Sequence, residues 1–134
     1  MELKKSYKGF VIWLLIFVAT MFGCAFLPIE NGAVLTRIVM NVCVLNIVLL
    51  AFIIYKTEYV YWYNGTEYKQ AVEAGSERRK AFAKKHLKRF GMFALLYLVY
   101  SVVAQLIQVP YGVDIAVATV GMVVVAISTI KFKL

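Results

Sequence analysis

The sequence is poor in the residues that usually build catalytic and metal sites. It holds one histidine and two cysteines among 134 residues. His86 has no second candidate metal ligand near it in the sequence, and glycine-rich phosphate loops, paired-cysteine motifs and nucleophile elbows are missing. We therefore predict no catalytic residues, no metal and no cofactor, and the sequence does not indicate an enzyme.

The two cysteines are also badly placed for a disulfide. Cys24 lies near the end of the first apolar run, whereas Cys43 lies near the middle of the second. Because a disulfide needs its two Cα atoms within about 7 Å, thiols at different depths predict two free cysteines.

Acidic residues are scarce as well, and the chain is strongly apolar. Seven Asp and Glu oppose fifteen Lys and Arg, which gives a formal net charge of +8. The chain is 63% hydrophobic, with a mean hydropathy of +0.79. A soluble domain of this length could not bury so much apolar surface in one core. The composition therefore predicts an integral membrane protein, covered by lipid.

Four apolar runs are close to the length of about 20 residues that a spanning helix needs. They cover residues 9–27, 34–55, 91–109 and 113–130. None alternates as a membrane β-strand does, and a continuous apolar run in lipid must satisfy its own backbone as a helix. We predict an all-α fold, a single integral membrane domain over residues 1–134: a four-transmembrane-helix bundle of two antiparallel hairpins, joined by a helical basic cytoplasmic loop.

Basic residues predict which side of the membrane each loop faces. If the N-terminus is inside, fourteen of the fifteen Lys and Arg lie on the inner side. Only Arg37 lies on the outer side, together with the acidic Glu30 and Asp114. Under the positive-inside rule this predicts a multi-pass protein of the cell membrane with both termini cytoplasmic.

The first part of the central segment, residues 56–90, is rich in aromatics and leaves two structures open. Residues 55–63 would continue the second helix past the lipid as an aromatic belt, ending at a glycine cap near Gly65. The alternative is a β-hairpin with Asn64 and Gly65 at its turn.

The second part of the segment predicts a basic amphipathic helix over about residues 76–90. This helix would either lengthen the third span or bend at Gly91 and lie along the membrane. In both cases we expect it to stay close to anionic headgroups, each basic residue contributing about 1 kcal/mol. The candidate lipid-binding residues are Arg78, Arg79, Lys80, Lys84, Lys85, Lys88 and Arg89.

Polar residues within the spans are costly in lipid and therefore mark candidate sites. Four of them recur along one face of the third span, at spacings of four, four and three residues. Arg37 and Asp114 lie at matching depth, which predicts an ion pair that fixes helix register. The polar track could serve interhelical hydrogen bonding, a ligand or ion route, or a partner interface. Its candidate residues are Arg37, Asn41, Tyr97, Ser101, Gln105, Gln108 and Asp114.

These features predict a binding, accessory or regulatory membrane component that uses its basic cytoplasmic segment at the membrane surface. The expected partners are anionic lipid headgroups, with a homo-oligomer or a larger membrane complex as open alternatives, and no nucleic acid. The second hypothesis is an oligomeric small transporter or channel with the polar face of the third span inside. An enzyme acting on lipid headgroups is a third.

Overall fold

The described part of the chain is mostly helical. The computed structural model describes residues 3–63 and 65–134, which form four α-helices and one 3-10 turn in these ranges. The helices are α1 (Lys8–Cys24), α2 (Gly32–Thr57), α3 (Tyr68–Leu106) and α4 (Tyr111–Thr129), and the 3-10 turn is Val60–Trp62. No strand occurs in the described ranges, so the fold is all-α, as the apolar runs predict.

Helix α2 has well-defined ends. At its start, Oδ1 of Asn31 accepts hydrogen bonds from the backbone N–H groups of Ala33 and Val34, at 3.0 and 3.2 Å. At its end, Glu58 takes the left-handed conformation with φ 63°, and its N–H donates to the carbonyl of Ile54. The helix therefore stops well before Gly65, and the prediction that it continues to a glycine cap there is wrong.

The aromatic segment after α2 folds back onto the N-terminal segment. The hydroxyl of Tyr61 accepts from the N–H of Ser6 at 2.7 Å, and the indole N–H of Trp62 donates to the carbonyl of Ser6 at 3.0 Å. The hydroxyl of Tyr68 donates to the carbonyl of Leu3 at 2.6 Å. The proposed hairpin has no strand in the described residues, and Asn64 of its turn lies outside them.

Helix α3 has one break, at Gly75. This glycine has φ 81° and ψ 166°, a backbone conformation that interrupts the helix and that glycine adopts without strain. From Ser76 to Leu106 the helix is continuous, so the basic residues and the third apolar run share one axis. The alternative in which the chain bends at Gly91 is wrong.

Helix α2 is the centre of the bundle and packs against α1, α3 and α4. Asn46 joins it to α1: its side-chain amide donates to the hydroxyl of Thr20 at 2.9 Å, and its backbone carbonyl accepts from the indole N–H of Trp13 at 2.7 Å. Helices α3 and α4 also touch, and a Cβ built on Gly121 would lie 2.5 Å from the ring of Phe93. A glycine is therefore needed for this close approach.

The outer surface of the bundle is apolar, as expected for a chain surrounded by lipid. In the described part of the chain, α2, α3 and α4 are long and apolar enough to cross a membrane, and α1 is an apolar helix of 17 residues. Large side chains such as Leu15, Leu96 and Val120 are 60% to 64% exposed. An exposed apolar surface of this extent is typical of a membrane protein.

Candidate functional site

A buried ion pair joins α2 to α4 at the end of the bundle where α4 begins. Nε of Arg37 lies 3.0 Å from Oδ2 of Asp114, and the two side chains are 6% and 0% exposed. Nη1 of Arg37 also donates to Oε1 of Gln105 at 2.5 Å, and Nη2 donates to the carbonyl of Val109. The ion pair predicted from the matching depths is therefore present, and one guanidinium links three segments of the chain.

The other polar residues of α2 and α3 extend this network into the bundle. The amide of Asn41 donates to the carbonyl of Arg37 at 2.7 Å and to the hydroxyl of Ser101 at 2.9 Å. The hydroxyl of Tyr97 donates to the backbone carbonyl of Asp114 at 3.3 Å. Tyr97 and Ser101 are buried, so this part of the track hydrogen-bonds the helices to one another. We refer to Arg37, Asn41, Ser101, Gln105 and Asp114 as the polar cluster.

The two glutamines of the polar track lie at the surface. Gln105 and Gln108 are both exposed, and Gln108 has the left-handed φ of 57° in the turn between α3 and α4. The polar track therefore has a buried part, and an exposed part that lies at the end of the bundle.

Two cavities meet at the polar cluster. The first, of about 410 Å³, lies between α2 and α3 and is lined mainly by apolar side chains such as Ile38, Leu98 and Val102. The second, of about 360 Å³, lies at the end of the bundle and includes Gln108. Arg37 and Gln105 line both cavities. Asn41 and Ser101 line the first, so both cavities contact residues of the polar cluster.

At the opposite end of the bundle most of the basic residues of α3 are exposed. They are Lys69, Arg78, Lys80, Lys84, Lys85, Lys88 and Arg89. Phe132 in the C-terminal segment packs on this helix, with Lys85 Nζ 5.8 Å and the Arg89 guanidinium 5.4 Å from its ring centroid. The N-terminal segment reaches the same end through its bonds to Tyr61 and Trp62. We call this end of the bundle the basic end.

Arg79 is the exception among the predicted lipid-binding residues. It is 3% exposed, and its Nε lies 3.1 Å from Oε1 of Glu58, which is itself 2% exposed. Its Nη1 donates to the carbonyl of Ala71 at 2.9 Å. Arg79 therefore ties the end of α2 to both parts of α3 and is not presented to a membrane surface.

His86 is buried within the protein at the basic end. It is 4% exposed, its Nδ1 donates to the carbonyl of Phe82 at 3.0 Å, and its ring stacks on Tyr63 with centroids 4.1 Å apart. Burial lowers the pKa of His86, and the hydrogen bond to Phe82 opposes this shift in part. The same burial raises the pKa of the Tyr63 hydroxyl. The ring is thus a neutral packing element at the basic end.

Two interactions of the structure were not predicted. The pair of Glu58 and Arg79 could not be recognised because both residues lie in a segment full of charges. The contacts of Asn46 with α1 had a signal, since Asn46 lies on the face of α2 almost opposite to Arg37 and Asn41. A polar residue on that face indicates a second neighbouring helix.

Comparisons with protein-family models, with curated proteins and with solved structures find no match to this chain. In the described residues, no group of three or more His, Cys, Asp or Glu side chains is placed to hold a metal ion. The geometry of the two ends is therefore the basis for a functional proposal.

Proposed function

We propose that this chain is a four-span membrane protein that functions by binding, with both termini and the basic end in the cytoplasm. Its basic end holds anionic lipid headgroups of the inner leaflet, as a non-catalytic accessory or regulatory component would. The observation that carries the proposal is the set of exposed Lys and Arg side chains along one continuous helix, directly beside an apolar bundle.

The distribution of charge along the bundle supports the orientation. The N-terminal segment, the first half of α3 and the C-terminal segment meet at the basic end. The opposite end contains the exposed Glu30 and the internally paired Arg37 and Asp114. A protein with this asymmetry is expected to keep its basic end in the cytoplasm.

Because α3 is continuous from Ser76 to Leu106, the distance of each basic residue from the apolar run follows from its position in the helix. Lys84, Lys85, Lys88 and Arg89 precede Gly91 by up to seven residues, which is about 10 Å along a helix. Arg78 and Lys80 lie farther along the axis, at up to about 20 Å. The four nearer residues are therefore at the depth of the headgroups, and the other two extend into the cytoplasm.

The burial of His86 and Glu58 removes these two side chains as candidates for acid–base catalysis at the basic end. His86 is packed between aromatic rings, and Glu58 is held by Arg79. A general acid or base must reach the proton that it transfers. Neither side chain is presented to a headgroup in this way.

The test compares two double variants with equal changes in charge. Lys84→Gln with Lys88→Gln removes two exposed residues at headgroup depth, and Arg78→Gln with Lys80→Gln removes two exposed residues beyond it. Each protein is placed in nanodiscs of mixed phosphatidylglycerol and phosphatidylcholine, and the lipids that stay bound after mild delipidation are quantified. At about 1 kcal/mol per lysine, the first variant should lose about 30-fold of the preference for phosphatidylglycerol.

Equal preferences in the parent and both variants would overturn the lipid-binding role. Because Arg79 is buried in an ion pair, it is left unchanged in all variants, which avoids a loss of folding. Sidedness is tested separately with a green fluorescent protein fused after Leu134, which fluoresces only when it folds in the cytoplasm. A second fusion carries alkaline phosphatase at the same position. A dark fluorescent-protein fusion together with an active alkaline phosphatase fusion would overturn the orientation.

A further inference from the structure

The two cavities at the polar cluster are neighbours, and we refer to the pair as the groove, with an apolar part and a polar mouth. Arg37 and Gln105 line both cavities, which places the apolar part between α2 and α3 and the mouth beside it at the end of the bundle. The two parts have volumes of about 410 and 360 Å³. Sites for small amphiphilic molecules have volumes in this range, with mostly apolar walls and a few fixed polar groups.

The apolar part is shaped by residues within the two apolar runs of α2 and α3. Val34, Ile38 and Leu45 line it from α2, and Leu98 and Val102 line it from α3. Helices with these runs are expected to lie in hydrocarbon, where the occupant of an apolar groove is a hydrocarbon chain rather than water.

The polar mouth distinguishes this groove from an ordinary lipid-facing surface. Asn31, Gln105 and Gln108 line it with carboxamide groups, and Arg37 is held in place by Asp114. Because the ion pair fixes both Arg37 and its partner Gln105, the hydrogen-bonding groups are positioned before a ligand arrives. Such preorganisation favours one bound molecule over a shell of exchanging lipids.

The charge at this end selects the headgroup. Arg37 is neutralised by Asp114, and the exposed Glu30 adds one negative charge nearby in the sequence. A headgroup with a net negative charge is therefore not favoured, whereas the ammonium group of a zwitterionic headgroup is complementary to this end. The phosphate and ester oxygens of the same lipid can accept hydrogen bonds from the carboxamides.

We propose that the groove between α2 and α3 binds one zwitterionic phospholipid, with an acyl chain against Val102 and the headgroup at the mouth beside Arg37 and Gln105. This site is at the opposite end from the basic residues and has the opposite headgroup preference. The proposal shares with the proposed function only the placement of the chain in a membrane.

The experiment fills the groove with a bulky side chain. Val102→Trp places an indole in the apolar part, and Val99→Trp is the matched control, because Val99 is also 55% exposed but does not line the groove. Each protein is reconstituted with equal amounts of phosphatidylethanolamine and phosphatidylglycerol. Native mass spectrometry then counts the lipids that stay bound as the collision energy is raised.

The expected result is that the parent and Val99→Trp keep one phosphatidylethanolamine at collision energies at which Val102→Trp has lost it. Equal retention by all three proteins would overturn the proposal, since the lipid would then belong to the general lipid shell. A groove lipid that is mainly phosphatidylglycerol would overturn the headgroup assignment. A dimer that is present in the parent and lost in Val102→Trp would assign the groove to a second copy of the chain instead.

The two lipid experiments fail independently. Loss of the phosphatidylglycerol preference in Lys84→Gln with Lys88→Gln concerns the basic end alone. That double variant should still keep its tightly bound phosphatidylethanolamine, because neither lysine lines the groove.

Discussion

Replacing Asp114 with asparagine is expected to destabilise the bundle strongly. The change keeps the size of the side chain but leaves the guanidinium of Arg37 buried without its counter-charge. Removing one partner of a buried ion pair costs about 3–5 kcal/mol, because the remaining charge is still desolvated. The side chains of Arg37 and Asp114 are 6% and 0% exposed, so little water can compensate.

The other contacts of Arg37 keep the expected loss in the free energy of unfolding near the lower limit of this range. Gln105 and the carbonyl of Val109 still accept hydrogen bonds from the guanidinium after the change. We therefore expect a loss of about 3 kcal/mol for Asp114→Asn. A double variant, Arg37→Met with Asp114→Leu, replaces both charges by apolar groups. Its free energy of unfolding should fall by less than that of Asp114→Asn.

The free energy of unfolding is measured in mixed micelles by titration with sodium dodecyl sulfate. Trp13 and Trp62, the two tryptophans of the chain, report the transition by fluorescence. An Asp114→Asn variant as stable as the parent would refute the reasoning. A double variant less stable than Asp114→Asn would refute it too, because the polar contacts would then outweigh the cost of burying the charges.

Gly121→Ala should destabilise the contact of α3 with α4 by about 1–3 kcal/mol, because its Cβ would lie 2.5 Å from the ring of Phe93. Gly112→Ala is the control, since it has open space and should be neutral in the same titration. Stability should also fall as the pH drops below about 6.5, the ordinary pKa of histidine, because burial lowers the pKa of His86 and only the unfolded chain then takes up the proton. His86→Phe should remove this acid-dependent part of the pH profile, and an unchanged profile would contradict its assignment to His86.

The apolar runs were sufficient to predict the helices but not where they end. Periodicity and length report what a helix buries or exposes to lipid, and they predicted the all-α fold. The end of α2 depends on tertiary contacts instead. Tyr61 and Trp62 bond to Ser6, and the chain turns at Glu58 to reach it, although glutamate rarely takes a positive φ. No local pattern in the aromatic segment indicates this partner.

The two buried ion pairs differ in how well the sequence predicts them. Arg37 and Asp114 lie in apolar runs at matching depth, so a charge in one helix indicated a partner in another. Arg79 lies among exposed basic residues, but it points inward to Ala71, which precedes the break at Gly75, and to Glu58 at the end of α2. A run of basic residues does not show which one of them is buried.

The link of Arg37 to Asp114 has a consequence for the order in which the protein is assembled. The ribosome makes α2 long before α4, so Arg37 must enter or approach the bilayer while its carboxylate partner has not yet been synthesised. Until α4 is inserted, an Arg in the membrane carries a cost of about 2.5–3.5 kcal/mol on insertion scales. Arrival of the last hairpin removes that cost, so docking of α3 and α4 onto α2 would complete insertion and folding in one step. A chain that stops before Asp114 would keep an arginine without its counter-charge in α2.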